Sequence, residues 1–339
     1  MSNPPKPEGA FYFSYSPMSP PTFGLVPFNI HVYVYRNIHE AMEAMAYFMG
    51  KFQEKWASTP PHLTGETIFF RGQTGISHRI LPTRLRGPKL PAAPRMRHTV
   101  NAPPEVRERE GDWIEEDQEF RSHEQLLEYL LRGELQSRDK KEKDALKKIE
   151  GHPDLLRLSP FQQRAAVRHY AGVPSSLLDV STDLEVAAFF ATGAGESVPK
   201  GQLGMLWAMD MNFLKQYFSM KVKILPEGWI ITLKDRRDEW GDNKAFLDDF
   251  GLLPGQFNVH AVELKLPRPQ AQKGRFVSLE TEDGNPLPPE SEILWWSMFE
   301  RWLCPIGFVQ DGNPYANEGK GITKEKLLPE NDPYLTLGS

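Results

Sequence analysis

Two charged residues stand in apolar surroundings where neither reaches water easily. Arg71 closes the run Glu66-Thr67-Ile68-Phe69-Phe70-Arg71 and is followed by Gly72-Gln73. Asp179 lies between Leu178 and Val180. A guanidinium so placed needs a carboxylate, a phosphate or a row of carbonyls as partner, and a carboxylate needs a donor or a cation. Gly72, lacking a side chain, allows a backbone or a ligand to come close to Arg71. Two readings follow. Arg71 and Asp179 pair with each other inside the fold, where loss of one member costs about 3–5 kcal/mol. Alternatively, the two face one cleft and share a ligand.

Other chemistry is excluded by pattern. The chain has no phosphate-cradling glycine loop before a Lys-Ser/Thr pair, no His-Glu-x-x-His and no Gly-x-Ser-x-Gly. His152, His169 and His260 stand alone, so no metal site is expected. The single cysteine, Cys304, allows neither an internal disulfide nor a cysteine zinc site, which points to a reducing compartment. No stretch reads as a signal peptide, and none approaches the roughly 20 apolar residues that span a bilayer. A cytoplasmic protein without membrane attachment is expected. The net charge of −5 argues against general nucleic-acid binding. A basic run (Arg71, Arg79, Arg84, Arg86, Lys89, Arg95, Arg97) precedes a mainly acidic one from Glu105 to Glu119. Either the two neutralise each other, or the first is a local phosphate-binding surface. No aromatics interleave in it, as a single-strand nucleic-acid groove would require.

The elements that must position these residues show in periodicity and capping. Prolines at 4, 5, 7, 17, 20, 21 and 27 leave residues 1–28 without an expected regular element, and Phe11, Tyr12, Phe13 and Tyr15 make them an arm that packs on something. A strand is predicted from Asn29 to Tyr35, then a helix capped by Asn37 with core residues from Ile38 to Trp56. The Glu66–Arg71 strand ends at Gly72. Residues 87–104 read as an irregular Pro/Arg-rich loop, Trp113 to Leu135 as a helix, and the charge-dense 137–150 as a solvated helix or a linker. Ser159-Pro160-Phe161-Gln162 is a capping box opening a helix through His169 and Tyr170 that stops at Gly172. A short strand, Ser176 to Val180, delivers Asp179. Thr182-Asp183-Leu184-Glu185 caps the small-residue helix that follows. Further strands are predicted near Leu203–Met209, Trp229–Leu233, Val259–Leu266 and Arg275–Leu279. Helices are predicted near Phe213–Phe218 and Glu239–Phe250, and a last amphipathic helix from Ser291 to Leu303 carries Cys304 against the core. Strands and helices mix without a βαβ rhythm, which favours α+β.

Three blocks carry a resemblance. They are Phe70-Arg71-Gly72 with Leu81-Pro82-Thr83-Arg84-Leu85, His169-Tyr170-Ala171-Gly172-Val173-Pro174 with Leu177-Leu178-Asp179, and Gln272-Lys273-Gly274-Arg275-Phe276. In that order, over roughly residues 60–280, they resemble the FRG domain family, named for its Phe-Arg-Gly motif. Ser175-Ser176 stand where that family has Thr-Arg, and Val180-Ser181 where it has Trp-Thr. A looser resemblance is to ADP-ribosyltransferases. It implies a mixed, mainly antiparallel sheet with flanking helices, and it implies NAD or a related nucleotide as ligand. Arg71, Ser181 and Gln272 would occupy the catalytic positions, Arg71 on the pyrophosphate or nicotinamide ribose and Ser181 on the ribose. Gln272 stands where those enzymes have glutamate, with Glu263 and Glu280 only nearby. Gly72, Gln73, Asp179, Thr182, His169 and Tyr170 would complete the ligand site. The resemblance implies a domain over 29–285, after the 1–28 arm and before a C-terminal segment 286–339. It also implies an effector acting on a macromolecular target in a bacterial or prophage conflict system. The alternative is a non-catalytic protein-binding module with Arg71 and Asp179 as a structural pair.

Overall fold

The computed structural model describes residues 5–7, 9–15, 28–56, 67–75, 80–86, 129–216, 218–235, 256–289, 291–293, 295–296 and 304–338. The 87–104 loop, the Glu239–Phe250 helix and most of the Trp113–Leu135 helix lie outside them.

Ten strands form one sheet. They are β1 (Gly9–Tyr15), β2 (Phe28–Tyr35), β3 (Ile68–Gln73), β4 (Leu178–Ser181), β5 (Leu203–Asp210), β6 (Phe218–Leu225), β7 (Gly228–Asp235), β8 (Gln256–Glu263), β9 (Gly274–Glu280) and β10 (Cys304–Val309). Their order is β1-β2-β10-β5-β3-β4-β9-β8-β7-β6. Every neighbouring pair is antiparallel except β10 with β2. Helices flank the sheet, so the α+β class and the mainly antiparallel sheet both hold. All eight residues of β5 are buried, as its central place demands.

Several local readings are corrected. Residues 9–15, between the proline clusters, form a strand paired with β2 along its whole length. The strand carrying Asp179 runs from Leu178, two residues later than expected, and β3 continues through Gly72 to Gln73. Phe218 opens β6 after a 3-10 turn, Met211–Gln216, in place of the expected helix. Cys304 opens β10, which lies between β2 and β5, and burial pushes its thiol up to about 12. A raised thiol pKa disfavours the reactive thiolate, and the residue stands on a strand in place of the expected helix face. Strands from all three expected segments lie in this one sheet: β1 from residues 1–28, β3 to β9 from 29–285 and β10 from 286–339, with β2 starting at the first boundary.

The helices follow their caps. α1 (Ile38–Trp56) starts where Asn37 Oδ1 accepts from the Glu40 backbone N–H at 3.0 Å. The charged segment is α2 (Leu135–Lys147), a helix and not a linker, with Arg138 and Ala145 buried. After the single turn α3 (Pro153–Leu156), α4 (Pro160–Ala171) opens on the complete Ser159–Gln162 capping box and ends at left-handed Gly172. α5 (Leu184–Ala191) is capped by Asp183 and not by Thr182, its side chain accepting from the Glu185 N–H at 2.8 Å. Two short helices, α6 (Pro267–Ala271) and α7 (Lys324–Leu327), lie near the start of β9 and near the C-terminus.

Helices α1 and α5 pack on the face of the sheet carrying Leu206, Ala208 and Ile306. The other face buries Phe69, Trp207, Trp295 and Trp296. α4 and the C-terminal Leu337 cover Val262, Leu264 and Phe276.

A charge cluster stitches α2 to the Leu81–Leu85 motif. Arg84 grips Asp139 with Nε to Oδ1 at 2.8 Å and Nη2 to Oδ2 at 3.3 Å, and its Nη1 lies 3.3 Å from Glu292 Oε2. Arg138 Nη1 donates to the carbonyls of Thr83, Arg84 and Arg86. Burial pushes the Glu292 carboxyl up to about 8 in spite of Arg84. At neutral pH this acid is therefore mainly protonated, and Asp139 is the carboxylate that neutralises Arg84. Folding takes up a proton at Glu292 between the ordinary carboxylate range and pH 8, so its contribution is complete at low pH and is lost as pH rises through 8. Glu292→Gln, which keeps the neutral shape, is expected to fold normally. Its urea midpoint should fall less than that of wild type between pH 6 and 9; parallel midpoint curves would contradict this.

Candidate functional site

The site is built where the sheet splays. β3 pairs with β5 over six residues but with β4 only at Phe70 opposite Ser181. Beyond that point, the carbonyl of Asp179 accepts from the Arg71 guanidinium (Nη1) instead of from a strand. The gap opens into a cleft of about 270 Å³ whose lining includes Arg71, Gly72, His169, Asp179, Arg268 and Gln272. Phe70, Phe190, Phe276 and Leu328 supply apolar walls.

Arg71 and Asp179 thus face one cleft, as the second of the two readings has it, and do not form the direct ion pair of the first. The Asp179 carboxylate pairs with Arg168 of α4, Nη2 to Oδ2 at 3.2 Å. Arg71 is left with a carbonyl and no carboxylate among the described residues. Burial lowers its pKa to about 9, with Arg86 and Arg168 adding to the fall and Asp179 opposing it. It stays cationic at pH 7 but lacks a matched counter-charge. His169 is held neutral: burial lowers it to about 4, with Arg268 and Arg168 adding and Asp179 opposing. Its ring meets Phe276 edge-on at 5.9 Å.

Among the described residues, the buried atoms without hydrogen-bond partners include His260 Nε2 and Glu292 Oε1 elsewhere in the fold, and at this site Arg71 Nε, Asp179 Oδ1, His169 Nε2, Arg268 Nε and Arg168 Nε. Of these five, all but Arg168 line the cleft. A buried polar atom left unpaired costs about 1–3 kcal/mol, and such atoms are rare in folded proteins. Their concentration at one cleft, with three lining arginines against one aspartate, fits an anionic ligand that also carries donors.

The remaining expected site residues divide. Gly72 lines the cleft and is also the point where α5 crosses β3. Ser181 and Gln272 line it too, but their polar groups serve the framework. Ser181 Oγ donates to the Gln272 carbonyl at 2.8 Å and accepts from the Asp183 N–H at 3.0 Å. Gln272 Nε2 donates to the Leu327 carbonyl at 2.8 Å. Gln272 ends α6 and precedes β9, so it is not on the late strand itself. Gln73, Thr182 and Tyr170 lie outside the lining. Gln73 Oε1 accepts from Trp207 Nε1 at 2.8 Å. The Thr182 N–H donates to the Lys273 carbonyl at 3.1 Å. Tyr170 donates to Asp332 Oδ2 at 2.8 Å.

Sequence reasoning missed Arg168, Arg268 and Arg275. Only Arg275 carried a signal, inside the Gln272–Phe276 block. Among the described residues no group of three or more His, Cys, Asp or Glu could hold a metal, and no helix is long and apolar enough to cross a membrane. Comparison of the chain with protein-family models, curated proteins and solved structures finds no match.

Proposed function

We propose that this protein is an FRG-type effector whose cleft binds NAD or a related nucleotide through its phosphate. It would act on a macromolecular target in a bacterial or prophage conflict system. The observation that carries the binding reading is the set of unpartnered buried polar atoms on Arg71, Asp179, His169 and Arg268 around one cationic cleft. A guanidinium fork with no carboxylate of its own is suited to bidentate phosphate recognition. The FRG and ADP-ribosyltransferase resemblances supply the nucleotide and the effector role. Binding is better supported than turnover. Gln272 offers no carboxylate to stabilise an oxocarbenium-like transition state, and the Ser181 hydroxyl is already committed to two backbone groups.

The test is thermal unfolding of the full chain with NAD and with ADP-ribose. At about a hundredfold the dissociation constant, stabilisation of about 2.7 kcal/mol is expected. Arg71→Lys keeps the charge but loses the fork, and should lose most of that stabilisation.

A second reading, a non-catalytic protein-binding module, is favoured by the Arg168–Asp179 ion pair and the Arg71 bond to the Asp179 carbonyl, which together close a structural triad. It takes over if wild type and Arg71→Lys both fold and millimolar NAD or ADP-ribose stabilises neither.

A further inference from the structure

The polar groups of the cleft are committed unequally, and this narrows the ligand; the inference rests on the nucleotide-binding reading above. Arg275 is engaged, with Nη1 donating to the Gly274 carbonyl at 3.0 Å and Nη2 lying 3.8 Å from Glu263. Asp179 Oδ2 is held by Arg168. What remains in the lining is two guanidinium groups in want of acceptors, Arg71 and Arg268, one carboxylate oxygen in want of a donor, Asp179 Oδ1, and the unpartnered Nε2 of the His169 ring, which either a donor or an acceptor of the ligand can meet.

Arg268 is positioned for this role. Its backbone N–H donates to Asp332 Oδ2 at 3.2 Å, the same oxygen that accepts from Tyr170. Its guanidinium lies 6.0 Å from the centre of the Tyr170 ring and forms no ion pair among the described residues. Tyr170 and Asp332, which sit outside the cleft, thereby fix an arginine that lines it.

A phosphate answers both guanidiniums, and a hydroxyl answers Asp179 Oδ1. A bare anion leaves that oxygen unpaired and sets a like charge beside it, whereas a neutral sugar leaves both arginines unanswered. His169, neutral at pH 7, adds no third cation. The cleft's volume of about 270 Å³ falls just below the ~300–1,000 Å³ usual for small-molecule sites, so it holds one sugar phosphate unit. The rest of a dinucleotide would lie outside. We infer that the cleft selects a ribose phosphate unit, with Arg268 and Arg71 holding the phosphate and the Asp179 carboxylate accepting a sugar hydroxyl, and that Arg268 sets the specificity.

Calorimetric titration of the full chain with ribose 5-phosphate, ribose, inorganic phosphate and NAD tests this. Ribose 5-phosphate should bind and compete with NAD, ribose should not bind measurably, and inorganic phosphate should bind at least about tenfold more weakly than ribose 5-phosphate. Arg268→Gln should weaken ribose 5-phosphate about tenfold or more at an unchanged melting temperature. Asp179→Asn should weaken ribose 5-phosphate yet tighten inorganic phosphate, an opposition that a merely structural role would not produce. Should Asp179→Asn fail to fold, Arg268→Gln decides. Three results overturn the inference and leave the nucleotide reading standing: NAD binding without competition from ribose 5-phosphate, inorganic phosphate binding as tightly as ribose 5-phosphate, or wild-type affinity in Arg268→Gln. Binding of ribose 5-phosphate without NAD removes the dinucleotide reading and leaves the selection intact. No binding by any of the four overturns both.

Discussion

Gly72→Ala is expected to leave the chain unfolded, or to cost more than about 3 kcal/mol, the upper end of ordinary core overpacking. A Cβ at Gly72 would stand 1.8 Å from the Ala187 carbonyl oxygen, 2.7 Å from the Ala191 nitrogen and 2.9 Å from the Ala187 carbonyl carbon. All three are backbone atoms of α5, so no rotamer change relieves the clash. The helix would have to lift off β3, exposing Val186, Ala187, Ala188 and Phe189, all buried. Urea denaturation with a wild-type midpoint in Gly72→Ala would show that the crossing is not as close as this. The glycine following Arg71 thus has a packing reason that is independent of any ligand. The open backbone it provides is taken by a helix.

That distinction bears on what the sequence could and could not disclose. The Ser159–Gln162 box, the stop at Gly172 and the Asn37 cap are local hydrogen-bond chemistry, and they were legible because they need only neighbours in sequence. β1, β6 and β10 were not. Gly9–Tyr15 lies between proline clusters, which masked it, and β6 is pinned by its pairing with β7 across the following turn. β10 carries Pro305, a residue that argues against an interior strand because it has no N–H to donate. The strand tolerates it because pairing with β2 begins only at Ile306, while Pro305 is already opposite Trp207 of β5. At the site, Arg71 and Asp179 were visible because charge among apolar neighbours is anomalous. The sequence could not show that Asp179 answers to Arg168, since an arginine on a helix is ordinary. Arg268, between Pro267 and Pro269, had no local anomaly at all.

Arg84→Met and Arg71→Met are expected to separate structure from function, because the two arginines are buried under opposite conditions. Arg84 has a bidentate carboxylate partner in Asp139 and a buried acid, Glu292, beside it. Removing the cation leaves both without it, at a cost of about 3–5 kcal/mol for a broken buried pair. The lower end applies, because Glu292 is mainly neutral at pH 7. Arg71 has one carbonyl, a bare Nε and a pKa pulled down by burial and by neighbouring arginines. Methionine of similar length relieves an uncompensated buried charge but takes the donor from the Asp179 carbonyl, so the two effects offset and the net change should stay within about 1 kcal/mol in either direction. The Asp179 carboxylate keeps Arg168 in that variant, so no second charge is stranded. Stabilisation by NAD or ADP-ribose should vanish in Arg71→Met and persist in any Arg84 variant that still folds, such as Arg84→Lys. Equilibrium denaturation with and without ligand reads both effects at once. A loss in Arg71→Met as large as that in Arg84→Met would make Arg71 a framework residue and return the protein to the binding-module reading. A stable, ligand-blind Arg71→Met would mean that the fold keeps an unpaired cation that its stability does not need, which is the expected signature of a residue retained for what it binds.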